Sequence, residues 1–179
     1  MAAALVVLLA GCGTDGGSSG GTVVLAKAAG WRDALSTDES MGAYFAVVEV
    51  AYDEATARAA WGDAVPTGLA ERDGEPRDVG RYGDLGDVDF EHQVLVVYSS
   101  GQSGACPGWP ADFDLEGATV EITEGRHVPG DGCTDDYNAY RVVLAVDRAR
   151  LPAESQLPTE QVLVDGRELT VLVAAYPAR

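Results

Sequence analysis

A mainly β fold of the α+β class, an antiparallel β-sandwich or open barrel with one short helix and one disulfide, is predicted from three observations. Val94–Ser99 reads VLVVYS, a continuous apolar run between polar neighbours, which is the pattern of a strand buried on both faces. Thr119–Thr123 and Tyr140–Val146 alternate apolar and other residues with period two, as half-buried strands do. Asp165-Gly166 stands between two apolar runs, QVLV and ELTVLV, and supplies the positive φ angles of a tight hairpin turn.

Taken in order, TVVLAKA (22–28) is predicted as an edge strand and GWRDALSTDESMG as polar, irregular chain. Ala43–Tyr52, AYFAVVEVAY, is dominated by β-branched and aromatic residues and is apolar on both sides, so a buried strand is expected. Asp53 then precedes EATARAAWGDA. An N-cap aspartate, a glutamate in the first turn, and Ala55, Ala59 and Ala60 on one side predict a short helix ending near Gly62, packed at one edge of the sheet. Val65–Asp89 is rich in glycine, proline and charge and reads as a long surface connection. Five or six strands at even spacing complete the expected sheet.

The N-terminus is read differently. Met1 to Gly11 holds about ten uncharged apolar or small residues, half of the roughly 20 needed to span a bilayer and the length of a signal-peptide core. Leu9-Ala10-Gly11-Cys12 resembles the lipobox of bacterial lipoproteins, in which the cysteine thiol receives a diacylglycerol and becomes the new N-terminus. The tail GTDGGSSGG that follows has the composition of a flexible tether. The expected organisation is a signal peptide over 1–11, a lipidated tether over 12–21 and one β-rich extracytoplasmic domain over 22–179. No basic residue precedes Lys27, which departs from the usual signal peptide and suggests a start codon upstream of Met1.

With Cys12 assigned to lipid, Cys106 and Cys133 are left as a pair in an oxidising compartment, where a disulfide is the expected outcome. No C-x-x-C motif is present, and a zinc site would have to recruit His92 and His127 without ligand spacing. No cofactor is expected. Acidic residues outnumber basic ones 29 to 12, giving a formal charge of -17. Such a charge argues against nucleic acid and repels anionic headgroups, which leaves the anchor to hold the membrane. One lysine against eleven arginines, and a single isoleucine and asparagine, fit a GC-rich genome, and with the lipobox they resemble a lipoprotein of actinobacterial type.

Three constellations invite a chemical reading. Gly101-Gln102-Ser103-Gly104-Ala105 follows a strand and approaches the G-x-S-x-G nucleophile elbow. An envelope hydrolase using Ser103 with His92 or His127 is therefore the alternative reading, although Pro107 and Pro110 oppose the helix such an elbow needs. Asp131, Asp135, Asp136 and Asn138 offer oxygen ligands for calcium in a segment that departs from the EF-hand pattern, with solvated or turn-capping side chains as the rival. Trp109, in PGWP after Cys106, is either an anchor for a partner, with Gln102 and Ser103 beside it, or a piece of the core.

A helix containing Trp61, Val88-Asp89-Phe90-Glu91 opening an apolar strand, a glycine-containing turn and a later RLP resemble the small extracytoplasmic β domains of the protease-complex-associated inhibitor-like type. Over about Tyr44 to Val173 the resemblance implies a sandwich-like module that binds a protein, such as a protease, without catalysis. The cysteine pair is an addition to that pattern. The expected function is thus a lipid-anchored envelope binding or structural module, with hydrolase and calcium-stabilised domain as alternatives.

Overall fold

A computed structural model describes residues 21–178, so Cys12 and the expected signal and tether lie outside the described residues. In chain order the elements are β1 (Thr22–Ala29), the single-turn helix α1 (Asp33–Ser36), a 3-10 turn (Glu39–Ala43), β2 (Ala46–Ala51), α2 (Glu54–Ala64), β3 (Gly80–Arg81) and β4 (Gln93–Gln102). There follow β5 (Gly108–Glu116), β6 (Thr119–Arg126), β7 (Asn138–Asp147), β8 (Val162–Val164), β9 (Arg167–Glu168) and β10 (Val171–Ala175). Six strands form one sheet in the order β10-β2-β4-β7-β1-β3, and four form the other in the order β5-β6-β8-β9. The fold is a β-sandwich, as expected. Its sheets are mixed, because β10 lies parallel to β2 and β8 parallel to β6.

The alternation seen in the sequence sets the core. Tyr140, Val142, Leu144 and Val146 of β7 point between the sheets with Val48, Val50, Val96 and Tyr98, against Phe113, Val120, Ile122, Val162 and Val164 of the second sheet. The intervening residues of the same strands, Leu95, Val97, Val143 and Ala145, face the opposite way and are equally buried. A sheet apolar on both faces has to be covered twice, which corrects the expected position of α2. The helix lies across the outer face of the large sheet, not at its edge, making a third layer.

Its buried residues are Ala57, Ala60 and Ala64, not the expected set of Ala55, Ala59 and Ala60. A spacing of three and four places them on one stripe, and methyl side chains let the helix sit close to the sheet. The Asp53 carboxylate accepts from the Ala55 and Thr56 amides at 2.8 and 2.9 Å, which is the cap the sequence predicts. The helix runs through Gly62 to Ala64, whose carbonyl takes the Arg141 Nε proton at 2.6 Å.

Other expectations are revised. β1 is not an edge strand, since β3 pairs along it from within the Val65–Asp89 connection. The segment after it contains α1 and the 3-10 turn, which bury Leu35 and Met41 against Val47. β5 was hidden by Pro107 and Pro110. It occupies the edge of the small sheet and has a bulge between Pro110 and Asp112, where a missing amide proton is tolerated. Asp165 and Gly166 have φ of 50° and 70° and close the β8–β9 hairpin, but β9 is short and the chain crosses to the large sheet as β10.

Arg32 and Glu49 form a buried bidentate pair at 3.0 and 2.6 Å, joining α1 to β2, and the Ala178 amide donates to the same carboxylate at 2.9 Å. No helix among the described residues is long and apolar enough to cross a membrane. Arg32→Met leaves the Glu49 carboxylate buried without its cation and is expected to cost about 3–5 kcal/mol in urea denaturation. Arg32→Met/Glu49→Leu should recover most of that loss. A double variant no more stable than the single one contradicts this account.

Candidate functional site

The chain passes between the sheets twice at one end of the sandwich, from β4 to β5 and from β6 to β7. Cys106 in the first crossover is bonded to Cys133 in the second, as expected, with Cα atoms 5.3 Å apart. The closed loop would stabilise the fold by roughly 3.5 kcal/mol on a chain-entropy estimate. Beneath it lies a cavity of about 200 Å³, bordered by Gln102, Ser103, Gly108, Glu124, Arg126 and Tyr140.

Lys27, the lone lysine of the chain, reaches this end from β1 and is fully buried. Its Nζ donates to the Gly108 carbonyl at 2.7 Å, the Arg77 carbonyl at 2.9 Å and Gln102 Oε1 at 3.0 Å, and lies 5.0 Å from the centre of the Tyr140 ring. Burial pulls its pKa down to about 8, against the opposing field of Asp78. Glu124 accepts from the Tyr98 hydroxyl at 2.9 Å and from Arg126 at 3.3 Å, and burial pushes its carboxyl up. Burial likewise raises the Tyr98 and Tyr140 phenols far above their usual value.

The residues singled out in the sequence fall into this frame unevenly. Gln102 Oε1 accepts from Lys27 and from the Gly108 amide at 3.0 Å, so it organises the start of β5. Trp109 is 8 % exposed and belongs to the core between the sheets, the second of its two sequence readings and not the partner anchor. A Cβ on Gly125 would come within 2.6 Å of its indole, so that glycine is the space the ring occupies.

Ser103 Oγ lies 2.9 Å from Thr134 Oγ1 and 3.4 Å from Asp136 Oδ1. His92 precedes β4 and Ser103 follows it, a separation of about 35 Å along an extended strand, and His92 Nδ1 bonds Asp89 at 2.8 Å. The His127 amide bonds the Pro107 carbonyl at 3.0 Å. Among the described residues no hydrogen bond joins Ser103 to a histidine.

Asp136 ties the two crossovers together. It accepts from the Thr134 hydroxyl, the Gly104 amide at 3.0 Å and the Asn138 amide at 2.6 Å, and these bonds hold its carboxyl below the usual carboxylate range. Asp131 and Asp135, the other carboxylates named as calcium candidates, are exposed and form no ligand cluster with it among the described residues. Among the described residues the three ligand atoms that do converge belong to Asp89, Glu91 and His92, all exposed and at the opposite end of β4.

Tyr137, unremarked in the sequence, stands after Cys133 at the end of the β6–β7 crossover with 66 % of its surface exposed and covers Gly101, where a Cβ would fall within 1.8 Å of its ring. Phe45 borders the same cavity and is also exposed. A signal for Lys27 and Glu49 was present: each is a lone charge in an otherwise apolar strand. Neither sequence position shows what it pairs with.

Fold and site define a three-layer β-sandwich whose sheet crossovers are stapled by one disulfide and propped by one buried lysine. Neither a protein-family model nor a curated protein nor a solved structure matches the chain.

Two consequences are measurable. Trp109→Ala removes an aromatic ring from the core and should lower stability by about 3–5 kcal/mol in a thermal or urea melt; a nearly unchanged melt would return Trp109 to the surface. Lys27 binds its proton less tightly in the folded chain than in the unfolded one. Between about pH 8 and 10.5 the unfolded state therefore carries more protons, and stability should rise with pH. Relative to Lys27→Met, the wild type should gain roughly 2 kcal/mol between about pH 7.5 and 9.5 in urea denaturation. Parallel pH curves would show that Lys27 does not titrate there.

Proposed function

We propose that this chain is a lipid-anchored, extracytoplasmic module of the cell envelope that binds another protein and catalyses no reaction of its own. The observation that carries the binding role is Tyr137, a largely exposed aromatic held over Gly101 on a loop stapled by Cys106–Cys133. Exposed aromatic rings on rigid supports bind at low entropic cost and recur as interface anchors. Tyr137 thus takes the anchor role that was one of two readings of Trp109. The likeness to protease-complex-associated inhibitor-like domains makes a protease one candidate partner.

The address rests on Leu9-Ala10-Gly11-Cys12. A disulfide between the remaining cysteines supports it, because such bonds persist in oxidising compartments. With a charge of -17 the domain would be repelled by anionic lipid, and the anchor together with the Gly/Ser tether would hold it near the membrane without adhering to it.

Metabolic labelling with a fatty-acid analogue should tag the wild type and leave Cys12→Ser unlabelled, with the variant released to the soluble fraction. Equal labelling of both would sink the anchor. A photo-cross-linking residue at Tyr137 should yield a discrete protein adduct in native envelopes, absent when the same residue replaces Glu168. Identical adduct patterns from the two positions would remove Tyr137 from the interface.

A further inference from the structure

A second depression lies on the far side of Tyr137 from the disulfide cavity, between α1 with its following 3-10 turn and the start of β7. It is an open trough of about 690 Å³. Trp31, Leu35, Met41 and Tyr137 supply its apolar surface. Leu35 and Met41 are buried by their own packing on Val47, and Trp31 is fixed by its Nε1 donating to the Ser100 carbonyl at 2.8 Å. The floor is therefore built before any ligand arrives.

The rim is acidic. Asp33, Asp38 and Glu39 are all exposed along the trough. The Asp38 carboxylate is engaged with the Ser40 amide and hydroxyl at 2.9 and 2.6 Å. Asp33 and Glu39 form no ion pair among the described residues. Arg141, the cation among the lining residues, has Nε on the Ala64 carbonyl at 2.6 Å and Nη1 on those of Ala29, Gly30 and Trp31 at 2.8, 3.0 and 3.2 Å, and it lies in the field of Asp33 without a salt bridge to it. Three carboxylates against one guanidinium leave the rim net negative beside a preformed apolar floor, in a chain whose charge of -17 draws cations toward it.

We infer that the trough binds an extended cationic segment of a partner protein. An aliphatic side chain of that segment lies against Trp31 and Tyr137, above the buried Leu35 and Met41, and arginines or lysines on either side pair with Asp33 and Glu39. This rests on the protein-binding role proposed above and adds the chemistry of the partner. A second copy of this chain would bring the same negative charge and is disfavoured on that ground, and an anionic ligand fails for the same reason.

The test uses the full chain in zwitterionic detergent and fluorescein-labelled peptides of about ten residues, enough to extend across the trough. Alternating Arg-Leu is the probe, and alternating Arg-Ser and Glu-Leu are its controls, read by fluorescence anisotropy. Arg-Leu should bind in a saturable way, about tenfold more tightly than Arg-Ser, with Glu-Leu silent; burial of the leucines supplies the difference. Asp33→Asn/Glu39→Gln should weaken Arg-Leu by roughly three- to tenfold, the range expected for losing two exposed ion pairs. Asp131→Asn/Asp135→Asn removes the same charge elsewhere and should leave the affinity unchanged, with melts checking that both double variants fold.

Equal binding of Arg-Leu and Arg-Ser, or equal weakening by the two double variants, would reduce the attraction to net charge and overturn the inference. Self-association on sizing that Asp33→Asn/Glu39→Gln promotes and Arg-Leu dissolves would assign the trough to a second copy instead. None of these outcomes depends on Cys12. Loss of the trough leaves the anchor and the Tyr137 cross-link standing, and loss of the anchor leaves the peptide result intact.

Discussion

The two sheets are held in mutual position by one buried ammonium. Lys27 leaves β1 and places its three protons on the Arg77 carbonyl, Gln102 and the Gly108 carbonyl, which belong to the long connection, the end of β4 and the start of β5. A charge removed from water is tolerated only when its donors are met, so these three segments have to stay where they are. The position of Gly108 decides where β5 begins, and β5 with β6 forms half of the small sheet. The disulfide acts on the same joint from outside by tying the two crossovers together. One device constrains the folded joint, and the other limits the freedom of the unfolded chain.

The remaining architecture follows from strands that are apolar on both sides. β2, β4 and β7 cannot leave either face in water, so one face takes the small sheet and the other takes α2, α1 and the 3-10 turn. The close approach of α2 depends on alanines, and its C-terminal carbonyl is met by Arg141, which also collects the turn after β1. Arg32 and Glu49 repeat the principle on the same face. Buried charge in this protein is concentrated where separate segments converge, a placement in which hydrogen bonding decides geometry more than it adds stability.

These supports bear on the surface that a partner would meet. Tyr137 divides the disulfide cavity from the acidic trough and borders both. Its backing is glycine at Gly101 and its flanks are the stapled crossover and β7, so the ring is presented by rigid structure. The residues that the sequence offered for a serine elbow and a calcium loop bond to one another at this end: Ser103, Thr134, Asp136 and Asn138 form hydrogen bonds where the two crossovers meet and give them a shape.

Periodicity and turn chemistry are local properties, and they were legible in the chain. The alternation in β6 and β7, the apolar run of β4, the Asp53 cap and the Asp165-Gly166 turn each depend on neighbours a few residues away. The cysteine pairing was legible as well, because setting Cys12 aside as the expected lipid site leaves two thiols to find each other. What the tertiary structure alone decided involves partners distant in sequence. Edge or interior position for β1 depended on β3, a two-residue strand within a charged connection. The strand β5 could be recognised only once Pro110 stood on a sheet edge, opposite Glu124 and next to a bulge. Trp109 and Tyr137 each lie against a glycine, Gly125 and Gly101, and only Trp109 is enclosed between the two sheets, which no spacing along the chain records. The sequence by itself determined strand identity, the helix cap and the class of fold; the stacking of layers, the burial of Lys27 and the exposed aromatic were decided by long-range contact.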